Sequence, residues 1–581
     1  MTNDGDNFDD SWDPIWQTKT SIDNDGWNAE IKIPLSQLRF SQKEEQRWGL
    51  QVVRYLFRES ENSMWQHIPS NISGWTSHYG EIEGIDHIKP QRQVEIAPFA
   101  VGKFDKYEKV VGNPYATGKE FGYNVGVDGK IGITNNMILD FTINPDFGQV
   151  EADPSEVNLS AFESFFSEKR PFFIEGKNIT NYQITPGGNP WSSDNLFYSR
   201  RIGRKPHGEP ELDDNEYADV PENTKILGAF KLTGKTNDGW SIGIIENIAN
   251  KEIAEIDIEG EKHDEIVEPY TNYLIGRVQK DINKGNTIIG GMFTTTNRKL
   301  EDTNLDYLNS SAITGGVDFK QYFWKKKYYV TAMFVTSKIN GSTEAILDQQ
   351  TSSRRYFQRP DADYLSVDSS LTTLVGHGGN ISFGKQTNSG FRFAFNTTWR
   401  SPGLELNDVG YMRQANTIFQ YLWAGYSITK PFSIFRRINI NMNQWSGWDF
   451  GSVNLFNGAN INTWFQFKNL WSVSGGYNIE FENISNTILR GGPSMKVPGN
   501  QNYWFEIETN YTKKVRFNAS VSENKGNENY EYYNGYYLSA TYQPVDNISF
   551  SLNPYFSTYK ADLQYIDEFT YNGEARYVFG K

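Results

Sequence analysis

Carboxylates and arginines are concentrated between residues 143 and 204, and these side chains are the ones best suited to chemistry. Two carboxylates at a suitable separation could form a glycosidase pair. Paired with arginines inside a protein, the same groups would instead hold a segment in place through ion pairs. We favour the second interpretation and assign no catalytic residue, because the sequence does not show which groups face each other. The candidate residues of this network are Asp146, Glu151, Asp153, Glu168, Arg170, Glu175, Arg200, Arg201 and Arg204, together with Arg359.

The same stretch contains a helix-start pattern. Asp153 fits an N-cap, Pro154 fits the first helical position and Glu156 fits the third. Val157, Ala161 and Phe165, with Phe162 and Phe166 beside them, would give the helix an apolar stripe. A capped helix between two strands predicts a plug or lid, which we place in an insertion spanning residues 148–223.

Tryptophans near the start of the chain form a second set of candidates. The apolar face of a sugar stacks on an exposed indole ring while polar neighbours bind the hydroxyls. The candidate sugar-binding residues are Trp12, Trp16, Trp65 and Trp75. The alternative for any of them is core packing, which we predict for Trp27 and Trp48. Acidic residues between Asp4 and Asp13 lack the spacing of a calcium loop, so we expect a solvated acidic run there.

Other catalytic and cofactor patterns are missing from the sequence. The six histidines lack metal-ligand spacing and there is no cysteine, so we expect neither a metal site nor a cofactor. No nucleophile elbow or phosphate-binding glycine loop occurs. The net charge of -15 argues against nucleic acid as a partner.

Alternating side chains dominate the chain beyond residue 93. In residues 515–522, for example, Val515, Phe517, Ala519 and Val521 alternate with polar residues. The chain combines 15% aromatic residues with a mean hydropathy of -0.62. That combination is typical of an outer-membrane barrel, where lipid-facing and lumen-facing residues alternate along each strand. A soluble sandwich also alternates, but its strands are shorter than these.

The connections between these strands alternate between short turns and long polar loops. Short turns at 237–239, 283–285 and 388–390 contrast with longer loops such as 338–372 and 400–415. We therefore predict an all-β fold, a large antiparallel transmembrane β-barrel of about 20 strands over residues 91–581, with short plug or lid helices. Short turns are periplasmic in such barrels, and the strand parity then places residues 1–90 on the periplasmic side. The chain lacks a signal peptide and its closing aromatic, so we expect it to be a fragment with further strands in the full-length protein.

Residues 1–90 contain a pattern that points to a binding module. The run GWNAEIKIP at 26–34, followed by LRF at 38–40, resembles the C-terminal half of carbohydrate-binding-module family 9-like domains. The resemblance implies a partial β-sandwich here.

Four separated motifs resemble an uncharacterised outer-membrane family found mainly in Bacteroidota. They are PDFGQVEADP at 145–154, EKRPFFIEG at 168–176, LFYSRRIGR at 196–204 and YFQRPD at 356–361. Members join a family 9-like module to a barrel that is a domain of unknown function. The resemblance implies architecture and an outer-membrane location without a known activity.

Three functions remain open at this point. The first is binding or transport of glycans or other nutrients across the outer membrane, with membrane lipid and a glycan as partners. The second is an envelope hydrolase acting on O-glycosyl bonds. The third is a structural or assembly barrel that binds a protein partner.

Overall fold

The structure is a computed structural model that describes residues 14–38, 40, 43–56, 61–69, 76–89, 92–145, 162–187, 193–571 and 573–580. Within these ranges no helix is both long and apolar enough to span a bilayer. Strands dominate the described chain.

The region before residue 90 consists of short hairpins. Its strands are β1 (Gln17–Ile22), β2 (Trp27–Lys32), β3 (Glu45–Leu50), β4 (Val53–Leu56), β5 (Glu61–Met64) and β6 (Gly80–Asp86). In the described residues they pair as β1 with β2, β3 with β6 and β4 with β5. Trp48 packs against Phe40, with ring centroids 5.3 Å apart. The predicted core position of Trp27 is wrong: its side chain is 62% exposed, because no described sheet covers this face of the β1–β2 hairpin.

The remaining strands are longer and form the main sheet and its hairpins. In chain order they are β7 (Val94–Lys106), β8 (Lys119–Thr134), β9 (Met137–Ile143), β10 (Glu216–Asp219), β11 (Ile226–Lys235), β12 (Trp240–Ala249), β13 (Glu252–Ile258), β14 (Glu261–Glu268), β15 (Tyr270–Ile282), β16 (Thr287–Lys299), β17 (Ser311–Phe323), β18 (Tyr328–Asn340), β19 (Thr373–Lys385) and β20 (Gly390–Arg400). They continue with β21 (Thr417–Ile428), β22 (Phe435–Trp448), β23 (Asn454–Phe467), β24 (Ser472–Glu480), β25 (Asn483–Ser485), β26 (Met495–Val497), β27 (Asn500–Glu508), β28 (Val515–Gly526), β29 (Glu531–Val545), β30 (Ile548–Leu552), β31 (Tyr555–Ala561), β32 (Gln564–Tyr571) and β33 (Glu574–Gly580).

Twenty of these segments form one barrel, which confirms the predicted fold class. The order is β7-β8-β9-β11-β12, then β15 to β24, then β27 to β31. The two segments β30 and β31 pair with successive parts of β29, and therefore occupy one position in the sheet. The hairpins β13–β14, β25–β26 and β32–β33 lie outside the ring.

Short turns and long connections lie on opposite rims. The turns after β8, β11, β15, β17, β19, β23 and β29 are short and share one rim, which we call the short-turn rim. The insertion, the loop 341–372 and the loop 401–416 share the other, the long-loop rim. Strand β7 starts at the short-turn rim, so the β1–β6 region joins the barrel there.

Alternation along the strands gives the barrel two unlike faces. Large apolar side chains such as Phe293, Val317, Phe395 and Phe505 are exposed on the outer face. Inward positions on β11 to β20 include both polar and apolar residues, and Thr233, Ile245, Val335 and Asn396 are completely or almost completely buried. The outer face therefore suits lipid, whereas the inner face is covered by protein on this side of the barrel.

Helices are few and short in the described chain: α1 (Pro171–Ile174), α2 (Lys177–Thr180) and α3 (Thr343–Thr351). Ser342 caps α3 by accepting a hydrogen bond from the Ala345 amide. The predicted helix start at Asp153 lies outside the described residues. The predicted continuation of that helix through residues 162–166 is wrong, since these residues are irregular. Tertiary contacts hold them instead, as when the Phe166 amide donates to the Tyr198 hydroxyl at 3.0 Å.

Candidate functional site: a plugged lumen

The insertion folds into the barrel and forms an apolar core against its inner wall. Phe173, Tyr182, Ile184, Leu196 and Ile202 of the insertion are all buried. They pack on inward side chains of β11, β12, β15, β16 and β18, namely Ile226, Ala229, Ile245, Ala249, Tyr273, Ile275, Met292 and Val335. The insertion is therefore a plug that fills this side of the lumen.

The loop 401–416 is a second component of the plug, and the prediction of a long polar loop here is wrong. Leu404, Leu406, Val409 and Met412 are buried in the same core. The backbones of the two components also pair: the Tyr198 amide donates to the Val409 carbonyl at 2.8 Å, and the Asn195 amide to the Tyr411 carbonyl at 2.9 Å. We call this segment the plug loop. A loop exposed to water is normally polar. The apolar residues of the loop 401–416 are therefore the sequence signal that could have identified it as part of the plug.

Glu168 and Arg170 form the centre of the insertion. The Arg170 guanidinium donates to both carboxylate oxygens of Glu168, at 2.8 and 2.7 Å, and to the carbonyls of Ser199 and Ile202. The Ser199 hydroxyl also donates to Glu168. Burial would raise the pKa of Glu168, but the hydrogen bonds and charge of Arg170 outweigh it and lower that pKa to about 2. Glu168 is therefore a fixed anion and unsuited to act as a general acid.

Arg201 joins the insertion to the plug loop. Its guanidinium forms a bidentate pair with Glu163, with both distances 2.7 Å. It also donates to the Gly410 carbonyl at 3.0 Å and to Asn407 at 3.0 Å. These contacts lock the two plug components into one body.

Lysines on the barrel wall hold the short helix α1. Lys130 on β8 lies 2.6 Å from Glu175. Lys231 on β11 donates to the carbonyls of Phe172 and Glu175, at 2.5 and 2.9 Å, and lies 3.4 Å from Asp140. A cation beside the last carbonyls of a helix compensates their lack of hydrogen-bond donors. Glu175 thus pairs with a lysine of the wall, where the sequence predicts an arginine.

A third link joins the insertion to β20. Arg400 lies 2.7 Å from Asp194 and donates to the Thr185 hydroxyl at 2.6 Å. Both ionic side chains are at least 91% buried. The plug is thus held by discrete polar links as well as by apolar packing.

The loop 341–372 closes over the plug loop. Arg355 donates to Glu405 and to the Leu404 carbonyl, both at 2.6 Å. Burial tends to raise the pKa of Glu405, but Arg355 and Arg354 lower it to about 2. Arg359 is separate from this pair and from the Glu168 cluster: it lies 3.6 Å from Asp449 and donates to Ser494 at 3.0 Å.

The other half of the lumen is less filled. Inward residues on β22 to β28, such as Asn441, Asn462, Asn478 and Asn518, are only half-buried, in contrast to those on β11 to β20. Their amides bond across the wall, as when Asn443 donates to Asn460 at 2.6 Å. The described residues of the plug therefore pack on one half of the wall, and the inward residues of the other half are only partly covered by the described chain.

The structure brings together some predicted residues and separates others. Arg200 donates to the Ser167 carbonyl at 3.3 Å, beside the Glu168 cluster. Arg204 lies closer to the His207–Glu268 pair, and burial lowers the pKa of its guanidinium. Asp146, Glu151 and Asp153 lie outside the described residues, as do Trp12 and Trp75.

The two described tryptophan candidates are both exposed. Trp16 is 50% and Trp65 is 59% exposed, and the Trp65 ring lies against Gly80. In the described residues, no group of three or more His, Cys, Asp or Glu side chains is placed to hold a metal ion.

Comparison with known proteins identifies the family. The model of DUF5916, a domain of unknown function, matches residues 93–581. The chain belongs to the DUF5916 family. No curated protein matches the chain. Among solved structures, the P pilus usher (PapC) translocation pore aligns with 81% of this DUF5916 chain and 89% of its own, at 8% identity and a TM-score of 0.31.

Proposed function

We propose that this DUF5916 protein is an outer-membrane barrel with a movable plug that admits glycan-derived nutrients. The observation that carries the proposal is the divided lumen: a plug anchored to β8, β11 and β20, and an opposite wall that the described residues cover only partly. The apolar outer face supports placement in a membrane. Barrels of this kind occur in bacterial outer membranes, with short turns on the periplasmic side, so we place the β1–β6 region in the periplasm.

The polar links suit a gate. The plug contacts the wall through a few polar links. They include the ion pairs Lys130–Glu175 and Arg400–Asp194 and the hydrogen bonds from Lys231 to the carbonyls of Phe172 and Glu175. Such links define one closed position and can be exchanged for water when the plug moves. A ligand that binds better to the open state would shift the population toward it.

A reversible covalent lock tests this gate. The chain has no cysteine, and a Cβ placed on Gly243 of β12 would lie 3.0 Å from the Thr180 methyl group of α2. The double variant Thr180→Cys with Gly243→Cys therefore puts two thiols within disulfide range. We expect efflux of neutral oligosaccharides from proteoliposomes to fall about tenfold on oxidation and to recover on reduction.

Two further measurements complete the test. Each single-cysteine variant is the matched control and should not respond to oxidation. Replacing residues 148–223 with a short Gly/Ser linker should raise the efflux above wild type. Equal efflux from the oxidised and reduced double variant, or no efflux from any form, would contradict a moving plug.

Hydrolysis of O-glycosyl bonds and a role in assembly remain alternative functions. Among the described carboxylates of the predicted network, Glu168 and Glu175 are both bound to cations, which does not favour a hydrolase. Loss of polysaccharide turnover in Glu151→Gln with an intact barrel would support the hydrolase. A protein partner captured through the long-loop rim, with no oligosaccharide flux, would support assembly.

A further inference from the structure

Four tryptophans face the half of the lumen on which the described plug residues do not pack. They are Trp423 on β21, Trp445 on β22, Trp464 on β23 and Trp504 on β27, and we call them the tryptophan wall. Strand alternation fixes their direction: Tyr503 and Phe505 on either side of Trp504 are exposed on the outer face. Trp445 and Trp464 are each three residues from an outward residue, Met442 and Ile461, and therefore point inward.

The tryptophan wall lies near mid-height in the barrel. The strand registers place the four residues at the same height as positions 439–445 of β22. Strand β22 spans Phe435–Trp448, so this is the middle and upper part of the strand. This patch extends over about 20 Å along the strands and about 19 Å across them. Outer-membrane barrels normally place aromatic girdles on the lipid side at the two interfaces. A girdle therefore does not explain these four residues.

The indole rings of the tryptophan wall present flat faces. Trp445 pairs with Gly458, and Trp504 pairs with Gly476. A Cβ on either glycine would come within 2.4 Å of the ring, so each indole lies directly on the backbone of the next strand. The described residues provide no hydrogen-bond acceptor for the indole N–H of Trp445, Trp464 or Trp504. Each of these half-buried residues therefore keeps a donor for a ligand.

Amides fill the spaces between the rings. Asn443, Asn460 and Asn478 form a ladder, with Asn443 donating to Asn460 at 2.6 Å and Asn460 donating to Asn478 at 3.3 Å. Asn462 also donates to Asn460, at 3.0 Å. An amide has two donor hydrogens and an oxygen with two lone pairs, more than this ladder uses.

The charges in this patch disfavour anionic ligands over most of its area. At the level of the tryptophan wall, the inward positions of β21 to β28 include Glu480 and Glu506 but no lysine or arginine. On the neighbouring strand β20, Arg392 pairs with Gly425 at this level, and its guanidinium lies 5.1 Å from the centre of the Trp423 ring. Glu506 accepts hydrogen bonds from Ser474 and Asn518. An anion beside Trp445, Trp464 or Trp504 would therefore meet these two carboxylates, whereas Arg392 lies at the β20 edge of the patch.

We infer that the tryptophan wall and its asparagine ladder form a binding surface for uncharged oligosaccharides inside the lumen. The inference rests on the proposed function and names its ligand class. Flat indoles stack on the apolar faces of sugar rings, while amides and indole N–H groups bind the hydroxyls. The site is distinct from the exposed tryptophans of the β1–β6 region.

Binding to the detergent-solubilised full chain tests the inference without requiring transport. The probes are three- to six-unit neutral oligomers of β-1,4-glucan, α-1,4-glucan, mannan, xylan and N-acetylglucosamine, measured by calorimetry. We expect at least one to bind, and Trp445→Leu and Trp464→Leu each to weaken its Kd about tenfold. Trp464→Phe should retain part of the affinity because it keeps a flat ring.

Trp399→Leu is the matched control. Trp399 on β20 also lies on a paired glycine, Gly379, but it faces outward. The Trp399→Leu variant should lower the stability of the barrel as much as the lumen variants do, and should leave the Kd for the oligosaccharide unchanged. Asn462→Leu tests the amide ladder without removing a ring.

Three outcomes would overturn the inference: no binding by any probe, equal Kd values for the lumen variants and Trp399→Leu, or tighter binding by oligogalacturonates. If binding depends on the tryptophans but oxidation of the Thr180→Cys, Gly243→Cys variant leaves efflux unchanged, the proposed gate is contradicted and the binding surface is not. If oxidation does control efflux but no neutral oligosaccharide binds through the tryptophans, the binding surface is contradicted and the gate is not.

Discussion

The carboxylate of Asp194 and the guanidinium of Arg400 lie 2.7 Å apart across the boundary between the plug and the barrel wall. The two residues are 206 positions apart in the sequence, one in the insertion and one at the end of β20. Thr185 completes the contact through its amide and hydroxyl. The pair fixes the plug to a strand distant from its own connections, which begin at β9 and end at β11.

Removing the carboxylate should weaken this anchor strongly. Asp194→Ala leaves a buried guanidinium without its anion, a change that typically costs about 3–5 kcal/mol. We expect a lower thermal unfolding temperature and faster proteolysis of the insertion. Glu209→Ala is the control, because its pair with Lys205 is exposed and should contribute nothing measurable. Equal effects of the two substitutions would contradict an anchoring role.

Tyr182 of the insertion should be displaced by a side chain on Gly316. A Cβ at Gly316 of β17 would lie 2.8 Å from the Tyr182 hydroxyl, whereas a Cβ at Gly315 would meet nothing within 4 Å. Gly316→Val should therefore loosen the plug and raise oligosaccharide efflux, and Gly315→Val should behave as wild type. An unchanged efflux in Gly316→Val would show that Tyr182 does not help to close the lumen.

The barrel was predictable because its environment imposes a pattern on each strand. Lipid on one face and lumen on the other produce the alternation seen in residues 515–522, and turn lengths reveal the rims. The insertion was predicted to be a plug or lid from a capped helix between two strands, and its described residues pack in the lumen without that helix. The predicted helix across residues 162–166 was wrong because capping and periodicity report local preference only, and here Tyr198 and Arg201 hold the chain through contacts distant in sequence.

The partners of the plug were not predictable from the sequence. Lys130, Lys231 and Arg400 are single charged residues within alternating strands, and nothing local distinguishes a cation that meets the plug from one that meets water. The tryptophan wall was missed for a similar reason. The sequence alone does not show that four tryptophans on different strands lie side by side. The strand register shows it, for example by placing Trp504 opposite Gly476.

Lys231 and Asp140 should show strong coupling in a double-mutant cycle. Lys231→Met removes the cation that binds two helix carbonyls and leaves Asp140 buried beside it, at a cost of about 3–5 kcal/mol. The double variant Lys231→Met with Asp140→Leu removes both charges and should recover much of that loss. Chemical unfolding of all four proteins measures the coupling. Additive losses would mean that the two charges do not interact.

The stability of the plug should depend on acid through Glu168. Its folded pKa of about 2 lies below the ordinary value of 4.5, because the Arg170 contacts outweigh burial. A lowered carboxyl pKa adds stability that is complete above about pH 4.5 and is lost as the pH falls toward 2. Within that window the unfolding free energy should fall by up to about 1.4 kcal/mol per pH unit for this group. Glu168→Gln should remove this part of the slope in thermal unfolding measured from pH 5 to pH 2.

Glu405→Gln should act in the same way, since the pKa of Glu405 is also about 2. Glu209→Gln provides the exposed control, and an identical slope in all variants would show that neither buried carboxylate controls the acid response.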